Sequence, residues 1–371
     1  MHASTSFEPR KGEIYAHTSL RGIASLGVVG YHGTLLIGPN ALEGEGFVYD
    51  FMTNGYFFVD MFFVLSGFIM VENYAKRLFK GEDSTSLDKG AVLQFWWRRL
   101  FKILPNYYAA LGIGLLVAVI ANMLRDDAFP LNCLASSLVS YVFLVHELGG
   151  GVCYNINQPL WSIVTELLAY SCFPILIFLL RAPVLMPALA VCLYGMLFHY
   201  SQDLSPLSGF PSVVRTFAGF VLGMWLAAVH THIPAHYKAW LQIPTFLAVI
   251  FAMAWGPDSA VIFAFVLLVL ATASNSGALT NLSRQTWLYR LGRVSFSMYL
   301  VHVPLLTIFH LLIHKIAADT GFAVTSMPSL IISVAIACSL VVGFANYLWI
   351  EWPIECVARR MRGPLQSKTG A

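Results

Sequence analysis

Ten stretches of about 17 to 25 predominantly apolar residues follow one another along the chain, at 18–37, 55–74, 105–124, 158–180, 183–199, 211–230, 239–256, 258–274, 295–314 and 328–350. A stretch of that length crosses a bilayer as a helix, because lipid offers no partner to a backbone N–H or C=O and the helix satisfies each one internally. Composition supports this reading. Only 11% of the 371 residues are charged, against about 25% in soluble domains, so lipid must cover the remaining surface. With 27 Phe, 16 Tyr and 9 Trp the chain is too aromatic for a disordered segment, and six Cys are too few for a disulfide scaffold. The expected fold is all-α, a polytopic membrane protein with about ten transmembrane helices. A shorter run, Leu134 to Val145, reads as interfacial or re-entrant.

Positions of Lys and Arg test the span assignment independently of hydropathy. With the N-terminus inside, all of the 22 Lys and Arg residues fall on the cytoplasmic side except Arg125 and Lys315, which fall outside, and Arg215, which lies within a span. Glu43, Glu45, Asp50, Asp126, Asp127, Glu147, Asp203, Asp258 and Asp319 all fall outside. Both termini are therefore expected in the cytoplasm. Residues 1–17 form a polar N-terminal segment with no signal-peptide pattern, 18–355 the membrane domain and 356–371 a basic tail. No extramembrane catalytic domain is expected, which leaves any chemistry to the spans and their loops. A net charge of +3 is too small to suggest a nucleic-acid partner. Cys133 and Cys153 share one outside connection and can pair there.

Ionisable groups at bilayer depth cost roughly 2.5 to 3.5 kcal/mol on insertion scales, so each is a functional candidate. Arg21 and His32 lie in the first span, and eleven residues at ~100° each place them on one helix face about 16 Å apart. A cation near the cytoplasmic mouth can hold a phosphate or carboxylate, and a histidine three turns deeper can exchange a proton or act as a nucleophile. The alternative is a snorkelling Arg and a packed His. Asp60 in the second span needs a partner, which a basic side chain or His32 can supply, and the adjacent Ser66-Gly67 allows close approach of another backbone. Between spans two and three, Gln94 to Pro105 is basic and aromatic, reads as cytoplasmic interface and is expected to end at its proline. Arg98, Arg99 and Lys102 either meet anionic headgroups or clamp the phosphates of a nucleotide-bearing cofactor.

The fourth span opens with Trp161-Ser162 and buries Glu166, a candidate base or an orienting group for His32. In the ninth span His302 precedes Pro304, which is expected to kink or break the helix and open a cavity beside the histidine. His230, His232 and His236 are crowded, yet Pro234 breaks any shared helix face, so no metal is assigned. There is no Walker loop, dinucleotide fingerprint or Gly-x-Ser-x-Gly elbow.

Taken together, these segments resemble the membrane acyltransferase-3 family, which moves acyl groups onto carbohydrates at bacterial membranes. Arg21 through His32 is similar to the family's Arg-x10-His opening, Val59 to Phe68 to its second helix, and Arg98-Arg99 to Pro105 to its basic loop. Trp161-Ser162 with Glu166 is similar to its fourth-helix motif, and Ser297 to Pro304 to a late one. Two positions depart. Leu167 stands where many members have a second acid, and Lys102 where a third arginine is common.

The resemblance implies an inner-membrane O-acyltransferase with an acyl-CoA donor, acetyl-CoA foremost, and a polysaccharide or lipid-linked oligosaccharide acceptor, closest to members acting on exopolysaccharide. It implies His32 as nucleophile or base, Glu166 and Asp60 to orient and charge-balance it, and donor or substrate contacts from Arg21, Arg98, Arg99, Lys102, Ser66, Trp161 and His302. Lipopolysaccharide, peptidoglycan or a small glycoside remain alternative acceptors. A transporter with a proton relay through Asp60, His32 and Glu166 is the competing class.

Overall fold

The computed structural model describes residues 7, 12–37, 46–80, 86–124, 130–148, 152–202, 204, 208–321 and 327–360. The charges at Arg10, Lys11, Glu43, Glu45, Arg125, Asp126, Asp127, Asp203, Arg362 and Lys368 lie outside the described residues, as do the side chains of Arg359 and Arg360. Among the described residues the chain is helical, with one isolated bridge between Phe79 and Leu87. The helices are α1 (Tyr15–Ile37), α2 (Phe47–Thr53), α3 (Phe58–Tyr74), α4 (Lys89–Leu124), α5 (Leu131–Val142), α6 (Leu160–Leu176), α7 (Leu185–Ser201), α8 (Gly209–Val229), α9 (Ala235–Trp255), α10 (Asp258–Ala271), α11 (Ala278–Ser283), α12 (Thr286–Thr320), α13 (Pro328–Asn346) and α14 (Trp352–Arg360).

Each expected span coincides with a helix, and seven helical segments are both long and apolar enough to cross a membrane. Of the helices that match the ten expected spans, those outside that group are α1, which has the length but carries His17, Arg21 and His32, and the shorter α7 and α10. α5 is the short apolar helix expected near 134–145. Cys133 at its start is bonded to Cys153, with Cα atoms 5.3 Å apart.

Two expectations about prolines are corrected. Pro105 does not end the basic stretch: α4 runs unbroken from Lys89 through it, so Arg98, Arg99 and Lys102 ride on the same helix as the third span. Pro304 likewise lies inside α12, which runs on from Thr286 to Thr320. Proline lacks an N–H, so it orphans the carbonyl four residues earlier, here that of Leu300. Asn157 Nδ2 donates to that carbonyl at 3.0 Å, and to Ala110 O at 3.3 Å. A side chain from a neighbouring segment therefore replaces the lost helix bond.

Two close crossings organise the bundle. In lipid there is little hydrophobic drive between helices, so small residues that let backbones touch decide which faces meet. α3 meets α8 at Gly67 and Gly223; a Cβ on the first would overlap Phe220 O and on the second Val64 O. The close approach expected at Ser66-Gly67 is thus made by α8. α1 meets α12 at Gly22 and Gly292, where a Cβ on Gly292 would overlap Thr18 O. These two run parallel in a constant register: Ser25 bonds Ser295 O at 3.0 Å and His32 meets His302, each pair 270 residues apart.

Candidate functional site

Two groups of polar side chains hold most of the candidate residues, one toward the end of the bundle that carries most Lys and Arg, here the basic end, and one toward the opposite, far end. The first lines a cleft with an empty volume of about 670 Å³. Arg21 lines it from α1, Val59, Phe62, Phe63, Leu65, Ser66, Ile69 and Met70 from α3, Arg99 and Lys102 from α4, Ser162, Ile163, Glu166 and Tyr170 from α6, and Phe296 and Tyr299 from α12. Val59 and Met70 are eleven residues apart, so the cleft follows α3 for about 16 Å along its axis. Its cations come from the basic end of α1 and α4, and Val59, Phe62, Ile163 and Tyr299 wall it further in.

Three cations and one carboxylate line this space. The Arg99 guanidinium lies over the rings of Tyr74, at 4.6 Å, and Tyr170, at 5.6 Å, and donates to the Tyr74 hydroxyl. Its Nε is buried with no hydrogen-bond partner among the described residues. Among those residues Arg21 forms no ion pair. Glu166 Oε1 accepts from Ser66 Oγ at 2.5 Å and from the Tyr170 hydroxyl. Its hydrogen-bond partners among the described residues are therefore two hydroxyls; Lys102 has Glu351 as a charged neighbour, and Arg21 and Arg99 are the lining cations that form no ion pair among those residues. An unpaired buried guanidinium N–H and a surplus of cations are what an anionic ligand, such as a phosphate chain, requires.

The second group surrounds His32. His302, fully buried on α12, donates from Nδ1 to Tyr299 O at 2.7 Å, so its Nε2 carries a lone pair. That Nε2 lies 3.2 Å from His32 Nδ1, which also lies 3.0 Å from Val28 O. Both neighbours of His32 Nδ1 are acceptors. The proton therefore belongs on Nδ1, and Nε2 is left as the reactive nitrogen. Nε2 is 2.9 Å from the Gln158 side-chain oxygen. That oxygen can only accept, so it bonds Nε2 when Nε2 carries a proton; with Nε2 unprotonated the amide is turned about, its NH2 taking the oxygen's place and donating. Tyr31 packs edge-on against the same ring at 4.9 Å and against Tyr56 at 5.4 Å.

The remaining candidates follow expectation only in part. Of the two partners expected for Asp60, a basic side chain or His32, it has the first. Arg215, the arginine noted within a span, holds it from Nε at 3.0 Å and from a terminal nitrogen at 2.6 Å, with both side chains fully buried. Trp161 lies away from the cleft, 5.6 Å beneath that guanidinium and edge-on to Phe63. Glu166 is held by Ser66 and Tyr170, whereas the side chain that meets His32 Nε2 is Gln158, before the start of α6. Arg98 is partly buried and does not line the cleft, whereas Lys102 does. Ser66 lines it too, whereas His302 reaches it only through Tyr299, whose ring is 5.8 Å away and whose hydroxyl bonds Ser162 at 2.7 Å. Asp60, His32 and Glu166 thus have separate partners and form no continuous relay.

Gln158, Tyr170, Tyr299 and Arg215 were not singled out as site residues by the sequence reading. Only Arg215 carried a signal, as a charge at membrane depth. At the basic end a further cluster backs α12: Arg293 donates to Glu355 at 2.8 Å and to the Tyr347 hydroxyl at 3.0 Å, and Ser297 donates to Glu351 at 2.7 Å. The π-helical turn Tyr347–Glu351, which joins α13 to α14, carries two of these groups.

The model of one protein family, described as Acyltransferase domain, matches residues 15–347. The protein named Acyltransferase MdmB from Streptomyces mycarofaciens is 25% identical over a 392-residue alignment that covers 95% of each chain. No solved structure matches.

Proposed function

The chain belongs to the Acyltransferase domain family, and on that premise we propose that it is an integral inner-membrane O-acyltransferase. It takes an acyl group, acetyl foremost, from acyl-CoA and gives it to a hydroxyl of a cell-surface or exopolysaccharide sugar. The observation that carries this reading is the cleft, whose cations Arg21, Arg99 and Lys102 outnumber its one carboxylate. Both termini and the basic end are assigned to the cytoplasm, where acyl-CoA is available.

In this reading the donor's phosphates rest on Arg21, Arg99 and Lys102, through charge-assisted bonds of roughly 1.5 to 3 kcal/mol each. The pantetheine arm follows the apolar wall of Phe62, Ile163 and Phe296, which also keeps water from the thioester. His32 lies about 16 Å along α1 from Arg21, a spacing suited to a ligand with an anionic head and a reactive tail. His32 Nε2 takes the proton of the acceptor hydroxyl as its oxygen attacks the thioester carbonyl. The C–S bond breaks, and the leaving thiolate recovers that proton from His32. Glu166 with Ser66 and Tyr170 lines the donor path.

The test is acyl transfer from labelled acetyl-CoA by purified protein in lipid nanodiscs, with polysaccharide acceptors supplied in turn. His32→Ala should abolish transfer while thermal stability and donor binding persist. Retained transfer would overturn the mechanism. A labelled acyl-imidazole accumulating without acceptor would make His32 the nucleophile instead of the base.

A further inference from the structure

The reactive nitrogen of His32 is already covered. Its Nδ1 side is taken by Val28 O and by the buried His302, leaving Nε2 as the nitrogen open to chemistry, and the Gln158 amide stands 2.9 Å from it. Gln158 is no drifting surface side chain. It ends the segment 152–158, which is tied down at four earlier points. Cys153 is bonded to Cys133, and Tyr154 N donates to Ser137 Oγ at 2.8 Å. The Tyr141 hydroxyl donates to Asn155 Oδ1 at 2.8 Å, and Asn157 bonds carbonyls of both α4 and α12. The strap thus delivers its last side chain to one place.

Access to His32 is also one-sided. His302 is fully buried behind it, while His32, Tyr31, Tyr56 and Gln158 are all partly exposed. Gln158, itself partly exposed, is the polar side chain in contact with Nε2 and covers that nitrogen on its side. What an amide offers there, a donor and an acceptor within one small polar group, is also what an alcohol offers.

We propose that Gln158 is a plug occupying the acceptor subsite: its amide holds the position the acceptor hydroxyl takes against His32 Nε2, and a sugar hydroxyl must displace it to be acylated. This deepens the acyltransferase reading and rests on it for the identity of the acceptor. The plug keeps water away from the base when no acceptor is present, so donor is not lost to hydrolysis. When an alcohol displaces the amide, its O–H donates to Nε2 in the amide's place, and the proton then moves to His32 as the new C–O bond forms and the C–S bond breaks.

Carbethoxylation by diethyl pyrocarbonate, read residue by residue through peptide mass spectrometry, tests the plug without any donor. Gln158→Ala and Gln158→Met remove the amide, the second with little change in volume. In both, His32 should react about tenfold faster than in wild type, while the fully buried His302 stays unreactive and reports an intact fold. In parallel, hydrolysis of acetyl-CoA without acceptor should rise several-fold. An unchanged His32 rate overturns the proposal. So does a joint rise of His32 and His302 in both variants, because Gln158 would then be a packing residue. If wild type consumes no acetyl-CoA with any acceptor, the donor reading fails, and the labelling result still decides whether Gln158 covers His32.

Discussion

Two sets of charge lie within the same bundle and differ in how completely they are answered. At the α3–α8 crossing Arg215 binds both oxygens of Asp60, reaches Tyr56 O at 3.4 Å and rests on Trp161, and neither charged side chain is exposed. In the cleft Lys102 has the buried Glu351 as a charged neighbour, whereas Arg21 and Arg99 form no ion pair among the described residues, and the one carboxylate of the lining is engaged by Ser66 and Tyr170. The buried pair neutralises itself and ties two helices together at a close crossing. The cleft keeps positive charge in reserve, which has a use only when an anion arrives. Burial of charge is therefore a poor guide to function by itself; incomplete pairing is the better one.

The sharpest way to break this comparison is to unbalance the saturated pair. Asp60→Asn or Arg215→Met leaves an uncompensated buried charge and should cost about 3 to 5 kcal/mol, seen as loss of folded protein from membranes and a lower melting temperature. The double variant Asp60→Leu with Arg215→Met should recover most of that loss. Single variants as stable as wild type would remove the structural role assigned to the pair.

A smaller effect of a different kind is expected in the cleft. Arg99→Ala should weaken acetyl-CoA binding about 10- to 100-fold by calorimetry, with melting temperature nearly unchanged. Arg98→Ala should cost less, because Arg98 does not line the cleft. Loss of stability without loss of binding at Arg99 would erase the distinction between the two sets of charge.

The smallest effect belongs to the connection between α5 and α6, where the same rule applies at a titrating pair. His146 stacks on Tyr141 at 4.0 Å, and burial pushes its pKa from 6.5 down to about 4. Burial pushes Glu147 upward, against the bonds it accepts from Gly209 N and Ser212 Oγ at the start of α8. A depressed histidine contributes stability that is complete above about pH 6.5 and is lost as pH falls toward 4. A raised carboxyl works in the opposite sense, with its contribution complete below about 4.5 and lost as pH rises through its folded value. Hydrogen exchange in 130–148 and 152–158 should accelerate between pH 6.5 and 4, after correction for intrinsic exchange, and His146→Phe, which keeps the stack, should abolish that acceleration. Persistence of the acceleration in His146→Phe would assign it to another group.

Local windows of sequence were enough for the helical membrane fold, the approximate bounds of its helices and the motif order that signals the family; they allowed the Cys133–Cys153 bridge, which the structure forms. Hydropathy, charge and motif spacing are read over a few turns, and lipid enforces the rest by leaving an unbonded backbone no alternative to a helix. The prolines were misjudged for the same reason: a window around Pro304 shows the missing N–H but not Asn157 supplying its replacement.

Which polar groups meet was decided only by the tertiary structure. Asp60 and Arg215 are 155 residues apart, and His32 and His302 are 270 apart. Their meeting depends on how far each helix is rotated about its axis, and that is set by backbone contact at Gly67, Gly223, Gly22 and Gly292. A histidine in a span can be recognised as a candidate from the chain alone. That its Nδ1 is engaged by His302, that its Nε2 faces Gln158, and that the carboxylates expected beside it are held elsewhere follow from packing, because rotating a helix by one residue turns its side chains by ~100°.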